Sequence, residues 1–376
     1  MFSEILRYDE DGRWSADLPD VDSYRTLVLA FGSSNMIEHD APLQELARRY
    51  PNSVIAGCST SGEIFDIGVS DNSLSVAIMK FSNAEVKFAS SPVTGDADSY
   101  GAGKSLARQL QGSTLKAVFV FSDGLLVNGT DLTAGIDAHL PSSVSITGGL
   151  AGDGDRFERT WVLVQGQPRT GYVTAVGLYG DIEISHGSQG GWDKFGPQRV
   201  ITRSDGNILY ELDGQPALPL YKQYLGEFAS ELPASGLLFP LQITDPHSPR
   251  EVVRTILSVD EVAQSLRFAG DVPQGYGAQL MQANFERLVG GAEEAAGIAG
   301  KNLDIRNAVC LSISCVGRRL VLGVRTDEEV EAVLDSLPPG TKQIGFYSYG
   351  EISPITTGTC ELHNQTMTVT TIAEAA

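Results

Sequence analysis

The sequence predicts an α/β protein of two domains, in which helices cover mixed β-sheets built from repeated strand-helix-strand units. Three observations lead to this prediction. A unit of apolar strand, amphipathic helix and second strand recurs along the chain. The 376 residues, 42% of them hydrophobic, suffice for two or three packed domains. Two prolines in the stretch 215–219 interrupt regular strand pairing and favour a domain boundary there.

Each of three copies of the unit closes in a turn that joins glycine to an acidic residue. In the first copy the apolar residues of the helix recur at i, i+3, i+4 and i+7, which is the spacing of one helix face. The copies have these first strands, second strands and closing turns: 27–32, 54–57 and Ser61-Gly62-Glu63; 117–121, 144–148 and Ala151-Gly152-Asp153; 308–313, 344–345 and Tyr349-Gly350-Glu351.

The prolines separate a first domain at 23–216 from a second domain at 217–372, and residues 1–22 are expected to form an N-terminal arm rather than a domain. In the second domain the composition predicts a long Ala-rich helix over 277–299. The helix of the third unit opens with Thr326, and Glu329 follows three residues later. This spacing is typical of a capping box, in which both side chains bond free backbone N–H groups.

The charge of the chain limits its partners. A formal net charge of −20 and a pI near 4.6 repel nucleic acid and anionic membrane surfaces, and Lys and Arg form no cluster. No window holds the roughly 20 apolar residues of a spanning helix, and the N-terminus lacks the pattern of a signal peptide. The four cysteines are too few for a disulfide framework. We therefore expect a cytoplasmic protein with reduced thiols.

Several sequence blocks resemble the FIST family, whose members combine an N-terminal and a C-terminal FIST domain. The most specific blocks are Gly57-Cys58-Ser59-Thr60-Ser61-Gly62-Glu63-Ile64 and Gly345-Phe346-Tyr347-Ser348-Tyr349-Gly350-Glu351-Ile352, which share Gly-x-x-x-x-Gly-Glu-Ile. Further blocks lie at 205–207, 211–217, 268–273, 314–319 and 362–368. They span about residues 25–372 in the order expected of the family.

The resemblance implies a sensory protein that binds a small ligand. Amino acids are suggested ligands of the family, and some stand-alone members bind heme and sense nitric oxide. Such members act on histidine kinases or cyclic-dinucleotide enzymes. The chain contains no kinase or cyclase segment of its own, so we expect its output to pass to a partner of this kind. The resemblance leaves open whether the chain forms a homo-oligomer.

The two Gly-Glu turns are the first candidates for ligand binding. Gly62 and Gly350 permit a positive φ or the close approach of another group, and backbone N–H groups near such turns can bind an anion. Glu63 or Glu351 could bind a ligand amine, with Ser59 as a neighbouring hydroxyl. The alternative is a tight turn whose glutamate accepts hydrogen bonds from nearby backbone donors.

Cys58 is the candidate nucleophile of a rival hypothesis, an acyl-transfer or hydrolytic enzyme. It lies at the junction between a strand and a turn, followed by three hydroxyl residues. Such a nucleophile needs an adjacent base and oxyanion donors, and no histidine is near in sequence. A buried, inert cysteine is the alternative. We therefore predict a ligand-binding sensor rather than an enzyme.

His186 and His363 are the candidate ligands of a heme iron. Period-two alternation places His186 on the face of Ile182 and Ile184, and places His363 on the face of Met367. Each imidazole is thus expected in a partly buried region, where it could coordinate iron. The alternative for each is a core histidine bonded to a backbone carbonyl.

Arg318 and Arg319 could hold a ligand carboxylate through two parallel hydrogen bonds. They follow Cys315-Val316-Gly317 at the predicted end of a strand, and alternation predicts that only one points inward. A surface salt bridge is the alternative. Tyr349 could supply an aromatic wall, although core packing would explain it equally. We expect the turns and the His-bearing strand ends to converge on one pocket.

Overall fold

Three parallel strand pairs organise the fold, one in each predicted unit. The computed structural model describes residues 1–247, 251–301, 308–354 and 359–374. It is a mixed α/β protein, so the predicted fold class and the repeated strand-helix-strand units are confirmed. Within the described ranges, no helix combines the length and the apolar character needed to cross a membrane.

Unit one consists of one helix and six strands around the pair β2 and β3. Its elements are β1 (Phe2–Tyr8), β2 (Thr26–Ser33), α1 (Ala41–Arg49), β3 (Val54–Thr60), β4 (Glu63–Phe65), β5 (Gly68–Ser70) and β6 (Leu74–Lys80). The predicted N-terminal arm thus contributes β1, which pairs antiparallel with β6.

Unit two repeats this order and adds a helix after its first strand. Its elements are β7 (Glu85–Pro92), α2 (Ser99–Leu110), β8 (Leu115–Ser122), α3 (Gly129–Asp137), β9 (Ser145–Leu150), β10 (Val162–Val164), β11 (Gln167–Arg169) and β12 (Tyr172–Tyr179).

Unit three opens with β13 (Ile182–Gln189), after which an insertion interrupts it. The insertion folds into a nine-stranded sheet with its own hydrophobic core. Its elements are β14 (Trp192–Lys194), β15 (Arg199–Asp205), β16 (Ile208–Leu212), β17 (Gln215–Pro216), α4 (Ala217–Leu225), β18 (Leu241–Thr244), β19 (Glu251–Arg254), β20 (Ile256–Asp260), β21 (Ser265–Phe268) and β22 (Gly277–Ala283). This sheet carries strands from both sides of residue 216.

The rest of unit three follows the insertion and repeats the order of unit two, with one more helix between its two parallel strands. Its elements are α5 (Phe285–Gly300), β23 (Val309–Cys315), α6 (Val316–Leu322), α7 (Thr326–Asp335), β24 (Lys342–Ser348), β25 (Gly350–Pro354), β26 (Cys360–His363) and β27 (Met367–Glu374). The predicted helix over 277–299 is wrong in its first turns, because 277–283 forms β22.

The three units exchange strands in a closed cycle. After its turn, unit one sends β4 and β5 to the sheet of unit three, unit two sends β10 and β11 to that of unit one, and unit three sends β25 and β26 to that of unit two. The resulting orders match position by position: β1-β6-β2-β3-β10-β11, β7-β12-β8-β9-β25-β26 and β13-β27-β23-β24-β4-β5. The sheets therefore join residues far apart in sequence.

A glycine at the same register position marks the equivalence of the three units. Gly57 lies beside Ala30, Gly148 beside Val120 and Gly345 beside Ser312. A Cβ atom at these glycines would lie 1.7 to 1.9 Å from the carbonyl oxygen of that neighbour. Only glycine allows this approach.

A ring of three backbone hydrogen bonds joins the strand ends. The N–H groups of Ser61, Gly152 and Tyr349 hold equivalent places in the units. Ser61 donates to Tyr347 O (2.8 Å), Gly152 to Ser59 O (3.0 Å) and Tyr349 to Leu150 O (3.1 Å). Each unit thus donates to the next, and the three turns meet at one end of the molecule.

The strand pairs pack around a shared apolar core. The ring centroids of Phe31 and Phe121 lie 5.4 Å apart, and those of Phe31 and Phe346 lie 4.7 Å apart. These rings come one from each unit, and all are fully buried. The core thus fixes the units against one another and places the strand ends around a common axis.

Candidate functional site

A cleft of about 630 Å³ opens where the strand ends of unit one meet unit three. Ser33 and Thr60, at the ends of the parallel strands β2 and β3, line one side, and residues of α6 line the other. The segment Gly154-Asp155-Arg156 of unit two closes a third side. Open α/β sheets bind ligands at the carboxyl ends of parallel strands, so this cleft is the candidate site.

Glu63 lies in the wall of the cleft and is almost fully buried. Its Oε1 accepts a hydrogen bond from Thr60 Oγ1, and its Oε2 accepts from the N–H (3.0 Å) and Oγ (2.9 Å) of Ser73. Burial raises the pKa of Glu63 to about 7, although these hydrogen bonds act in the opposite direction. The carboxyl group is thus already fully engaged by its own unit.

Arg319, on α6, is the cation that unit three contributes to the cleft. Its Nη1 lies 2.9 Å from Asp71 Oδ1 and its Nη2 lies 2.7 Å from Asp71 Oδ2. Nη1 also donates to Ser61 O. A Cβ at Gly62 would lie 2.7 Å from Nη1, so this glycine is needed for the approach of the guanidinium. The turn at Gly62 thus allows the close approach of the Arg319 side chain, and a role of Gly62 in ligand binding stays a prediction.

Other charged side chains surround this pair. Arg156 is half-exposed and pairs with the buried Asp153, and Asp155 and Asp327 add two more carboxylates to the lining. Asp327 Oδ1 accepts from the N–H of Val69 (2.8 Å). The cleft therefore offers both guanidinium groups and carboxylates, which suits a ligand that carries charges of both signs.

The mouth of the cleft is apolar. Leu320 is partly exposed and Val324 is fully exposed, although both are aliphatic. A second cavity of about 550 Å³ adjoins the cleft and shares Ser33 and Asn72 with it. A ligand with a charged head and an apolar body would thus find a surface for each part.

The Gly-Glu turns come together, but they do not share this cleft. Ser61 N–H donates to Tyr347 O, and Tyr347 N–H donates to Gly62 O (2.9 Å), so the turns of units one and three are adjacent. Gly350 and Glu351 are buried on the far side, against unit two.

The insertion fills the cleft of unit three that corresponds to the open one. Asn364 Oδ1 accepts from the N–H of Thr255 (3.2 Å), and Gln365 Nε2 donates to Leu237 O (2.9 Å). Arg254 Nη1 donates to Leu362 O (3.2 Å). Residues of the insertion thus occupy the place that stays open beside unit one.

Arg318 does not face the cleft. Its guanidinium is fully buried and donates twice to Glu329 Oε2, at 3.0 and 2.8 Å, and to the carbonyl oxygens of Gly190 and Leu288. All its donors are directed at protein acceptors, so it holds the structure together. Of the two arginines, Arg319 is the one in the cleft.

The capping box predicted for Thr326 and Glu329 is wrong, because the Glu329 side chain accepts hydrogen bonds from Arg318 instead of bonding a free backbone N–H group.

The two histidines lie outside the cleft. His186 is on the edge strand β13, opposite Thr370. Its Nδ1 is buried and has no hydrogen-bond partner among the residues that the structure describes. The Nε2 of His363 lies 3.2 Å from Ser353 O. The expected convergence of the turns with the His-bearing strand ends on one pocket is therefore wrong.

Cys58 and Ser59 are fully buried and cannot meet a substrate. Cys58 belongs to the shared core, where burial raises the pKa of its thiol well above its ordinary value. Ser59 Oγ accepts from the N–H of Trp161 (3.0 Å).

Tyr349 stacks on Phe157, with ring centroids 4.7 Å apart, and its OH accepts from Phe157 N–H (3.3 Å). Its role is packing between units two and three.

Five polar cleft residues were missed by the sequence reasoning, namely Asp71, Asn72, Asp155, Arg156 and Asp327. Ser73 and Thr366 are equivalent residues just before the last strands of units one and three, and counting back from them places Asp71 and Asn72 at the positions of Asn364 and Gln365. The glycines carried no such signal, because Asp71 lies 14 residues after Gly57 and Asn364 lies 19 residues after Gly345. Both Asn72 and Gln365 have a positive φ, 57° and 64°. No group of three or more His, Cys, Asp or Glu side chains within the described part of the chain is arranged to hold a metal ion.

Comparison with protein families covers most of the chain. The model described as FIST N domain matches residues 26–215, and the model described as FIST C domain matches residues 217–354. No curated protein matches the chain significantly.

Proposed function

The chain belongs to the FIST family, and on this premise we propose that it is a cytoplasmic sensor whose ligand binds in the cleft beside Arg319. FIST domains are sensory signal-transduction domains that bind small ligands. The output of this chain passes to a partner, which we propose is a histidine kinase or a cyclic-dinucleotide enzyme.

One observation carries the choice of site. Two clefts correspond in the repeated units, and the chain fills the one beside Asn364 with its own insertion. The one beside Asp71 has the same turn but stays open, with about 630 Å³ of space. In unit three the chain fills this place with its own residues. Because the equivalent cleft beside unit one stays open, it can accept a ligand that binds and dissociates.

The charges of the cleft favour a zwitterion such as an amino acid. Arg319 and Arg156 are suited to a carboxylate, and Asp71, Asp155 and Asp327 to an ammonium group. A net charge of −20 repels anions from most of the surface, so a carboxylate needs this local relief. The ligand shifts the population of two arrangements of the units and so biases the partner.

A thermal-shift screen of the amino acids, together with native mass spectrometry of protein from its own host, tests this proposal. A bound ligand should raise Tm, and Arg319→Gln should abolish the rise. The matched control is Arg203→Gln, which removes an exposed guanidinium paired with Glu211 outside the cleft. Protein that binds no small molecule and alters no co-encoded kinase or cyclic-dinucleotide enzyme would overturn the proposal.

A second candidate is a heme-based nitric-oxide sensor, and the orphaned Nδ1 of His186 favours it. Burial lowers the pKa of His186, which keeps the imidazole neutral and able to coordinate a metal. His363 is less suited, because its Nε2 lies within hydrogen-bond distance of a carbonyl. When bound, heme would supply an iron able to bind nitric oxide.

Expression with added heme, followed by an absorption spectrum, decides between the two candidates. A heme site at His186 predicts a Soret band that His186→Ala removes and His363→Ala retains. If no Soret band forms, or if replacing both histidines leaves it unchanged, neither imidazole is an iron ligand.

A further inference from the structure

Asp71 and Arg319 form a two-bond ion pair across the open cleft. Asp71 belongs to the turn between β5 and β6 of unit one, and Arg319 to α6 of unit three. The guanidinium is largely covered, with 23% of the Arg319 side chain exposed, whereas 63% of the Asp71 side chain is exposed. The cation is thus built into the wall, and the anion lies over it on the solvent side.

The corresponding turn of unit three forms without a carboxylate. Asn364 stands at the position of Asp71, and its Nδ2 donates to Tyr349 O (3.4 Å). Tyr349 O corresponds to Ser61 O, which in unit one accepts from Arg319 instead. The turn therefore needs a donor to this carbonyl and does not need a negative charge at position 71.

The fold does not require the arginine either. Counting seven residues from the register positions Ala30, Val120 and Ser312 leads to Ile37, Val127 and Arg319. Two units place an aliphatic side chain where unit three places a guanidinium. Ile37 and Val127 carry no charge to form such a pair, so the ion pair is a feature of the cleft beside unit one.

We propose that Arg319 is the carboxylate receptor of the cleft and that Asp71 is its tethered competitor. This inference rests on the proposed function, since it assumes that the cleft binds a ligand. The carboxylate of a small organic acid or amino acid replaces that of Asp71 on the guanidinium. The exchange costs little free energy, because an ion pair with so exposed a carboxylate contributes little to stability.

The exchange gives the ligand a means of changing the structure. Asp71 follows the β4–β5 hairpin, which unit one contributes to the sheet of unit three. Once displaced, Asp71 no longer holds this turn against α6. Ligand binding thereby loosens a contact between two units.

The test is an NMR titration of the full chain with sodium propionate, which carries a carboxylate and no amine. Asp71→Asn installs the side chain that unit three carries in the same turn, so we expect the variant to fold. It should bind propionate about five- to tenfold more tightly than the wild type, which corresponds to removal of a competitor worth about 1 kcal/mol. Arg319→Gln should lose the binding.

Glu331→Gln is the matched control, because it removes one exposed negative charge from α7, outside the cleft, without freeing Arg319. Its affinity for propionate should stay within about twofold of the wild type. Propylamine hydrochloride, which carries no carboxylate, should bind no more tightly to Asp71→Asn than to the wild type. Circular dichroism and thermal melting check that each variant is folded.

Three outcomes overturn the inference. Asp71→Asn binds propionate no more tightly than the wild type, Glu331→Gln tightens binding equally, or Arg319→Gln retains it. In each case the proposed function stands if the amino-acid screen or the host protein yields another ligand in this cleft. If neither the amino-acid screen nor the host protein yields a ligand, the proposed function fails together with this inference.

Discussion

Glu63 and Glu351 are held by the same hydrogen bonds in units one and three. Each accepts at Oε1 from the hydroxyl three residues earlier, Thr60 or Ser348. Each accepts at Oε2 from the N–H and the hydroxyl of the residue just before the last strand of its unit. These residues are Ser73 for Glu63, and Thr366 at 3.1 and 2.9 Å for Glu351. The repeated Gly-Glu-Ile motif thus secures the exit of each exchanged strand.

The burial of these carboxyl groups predicts a pH-dependent stability. Burial raises the pKa of Glu351 to about 8, above its ordinary value of 4.5. Between those values the folded chain keeps a proton that the unfolded chain loses, so the free energy of unfolding falls as pH rises. Over the range in which only the unfolded chain is ionised, the free energy of unfolding falls by about 1.4 kcal/mol for each pH unit.

Glu351→Gln should therefore flatten the pH dependence between about pH 5 and pH 8, measured by urea unfolding at several pH values. Glu231→Gln, at an exposed position, is the control and should follow the wild type. Equal slopes for the wild type and Glu351→Gln would show that this carboxyl group does not titrate abnormally.

Arg318 and Glu329 should behave as a buried structural pair. Arg318→Met leaves Glu329 without its cation, which we expect to lower the free energy of unfolding by about 3–5 kcal/mol. The double variant Arg318→Met/Glu329→Leu should regain part of this loss, because neither charge is then buried alone. Urea unfolding measures both. A stable Arg318→Met variant that only weakens ligand binding would contradict this role.

The backbone of a neighbouring strand lies so close to Gly57, Gly148 and Gly345 that adding one methyl group at any of them should strongly destabilise the fold. In Gly148→Ala the new Cβ would lie 1.9 Å from Val120 O, at a φ of 149° that disfavours L residues. We expect a loss of at least about 3 kcal/mol or a failure to fold. Gly101→Ala is the control, because nothing lies within 4 Å of its Cβ position in α2. It should gain about 0.5–1 kcal/mol in thermal or urea unfolding.

Cys58 should be unreactive in the native protein. Its thiol is fully buried and burial raises its pKa, so the thiolate required for labelling does not form at neutral pH. A disulfide reagent should label it only after denaturation. Cys58→Ala should retain ligand binding and lose about 1 kcal/mol or more of stability through the small cavity. Rapid native labelling of Cys58 would revive the acyl-transfer hypothesis.

Local patterns predicted much of the fold, because the period of the apolar residues reports which face of a strand or helix is covered. The three strand-helix-strand units and their turns are of this kind. Local composition misled at 277–283, where an Ala-rich continuation hides a strand, because pairing with β15 and β18 overrides helix propensity. Arg318 and Arg319 were expected at a strand end but lie on helix α6, so helix geometry, not period-two alternation, buries Arg318 and leaves Arg319 in the cleft.

The sequence by itself determined the class of fold, the three units, the family and the closing Gly-Glu turns, since all of these depend on residues near one another in the chain. The tertiary structure alone decided that the units exchange strands, that the insertion fills one cleft, and that Arg319 meets Asp71 in the other. Asp71 and Arg319 are 248 residues apart. At such separations the packing of whole sheets determines which residues form hydrogen bonds and ion pairs. The local periodicity of the sequence carries no information about that packing.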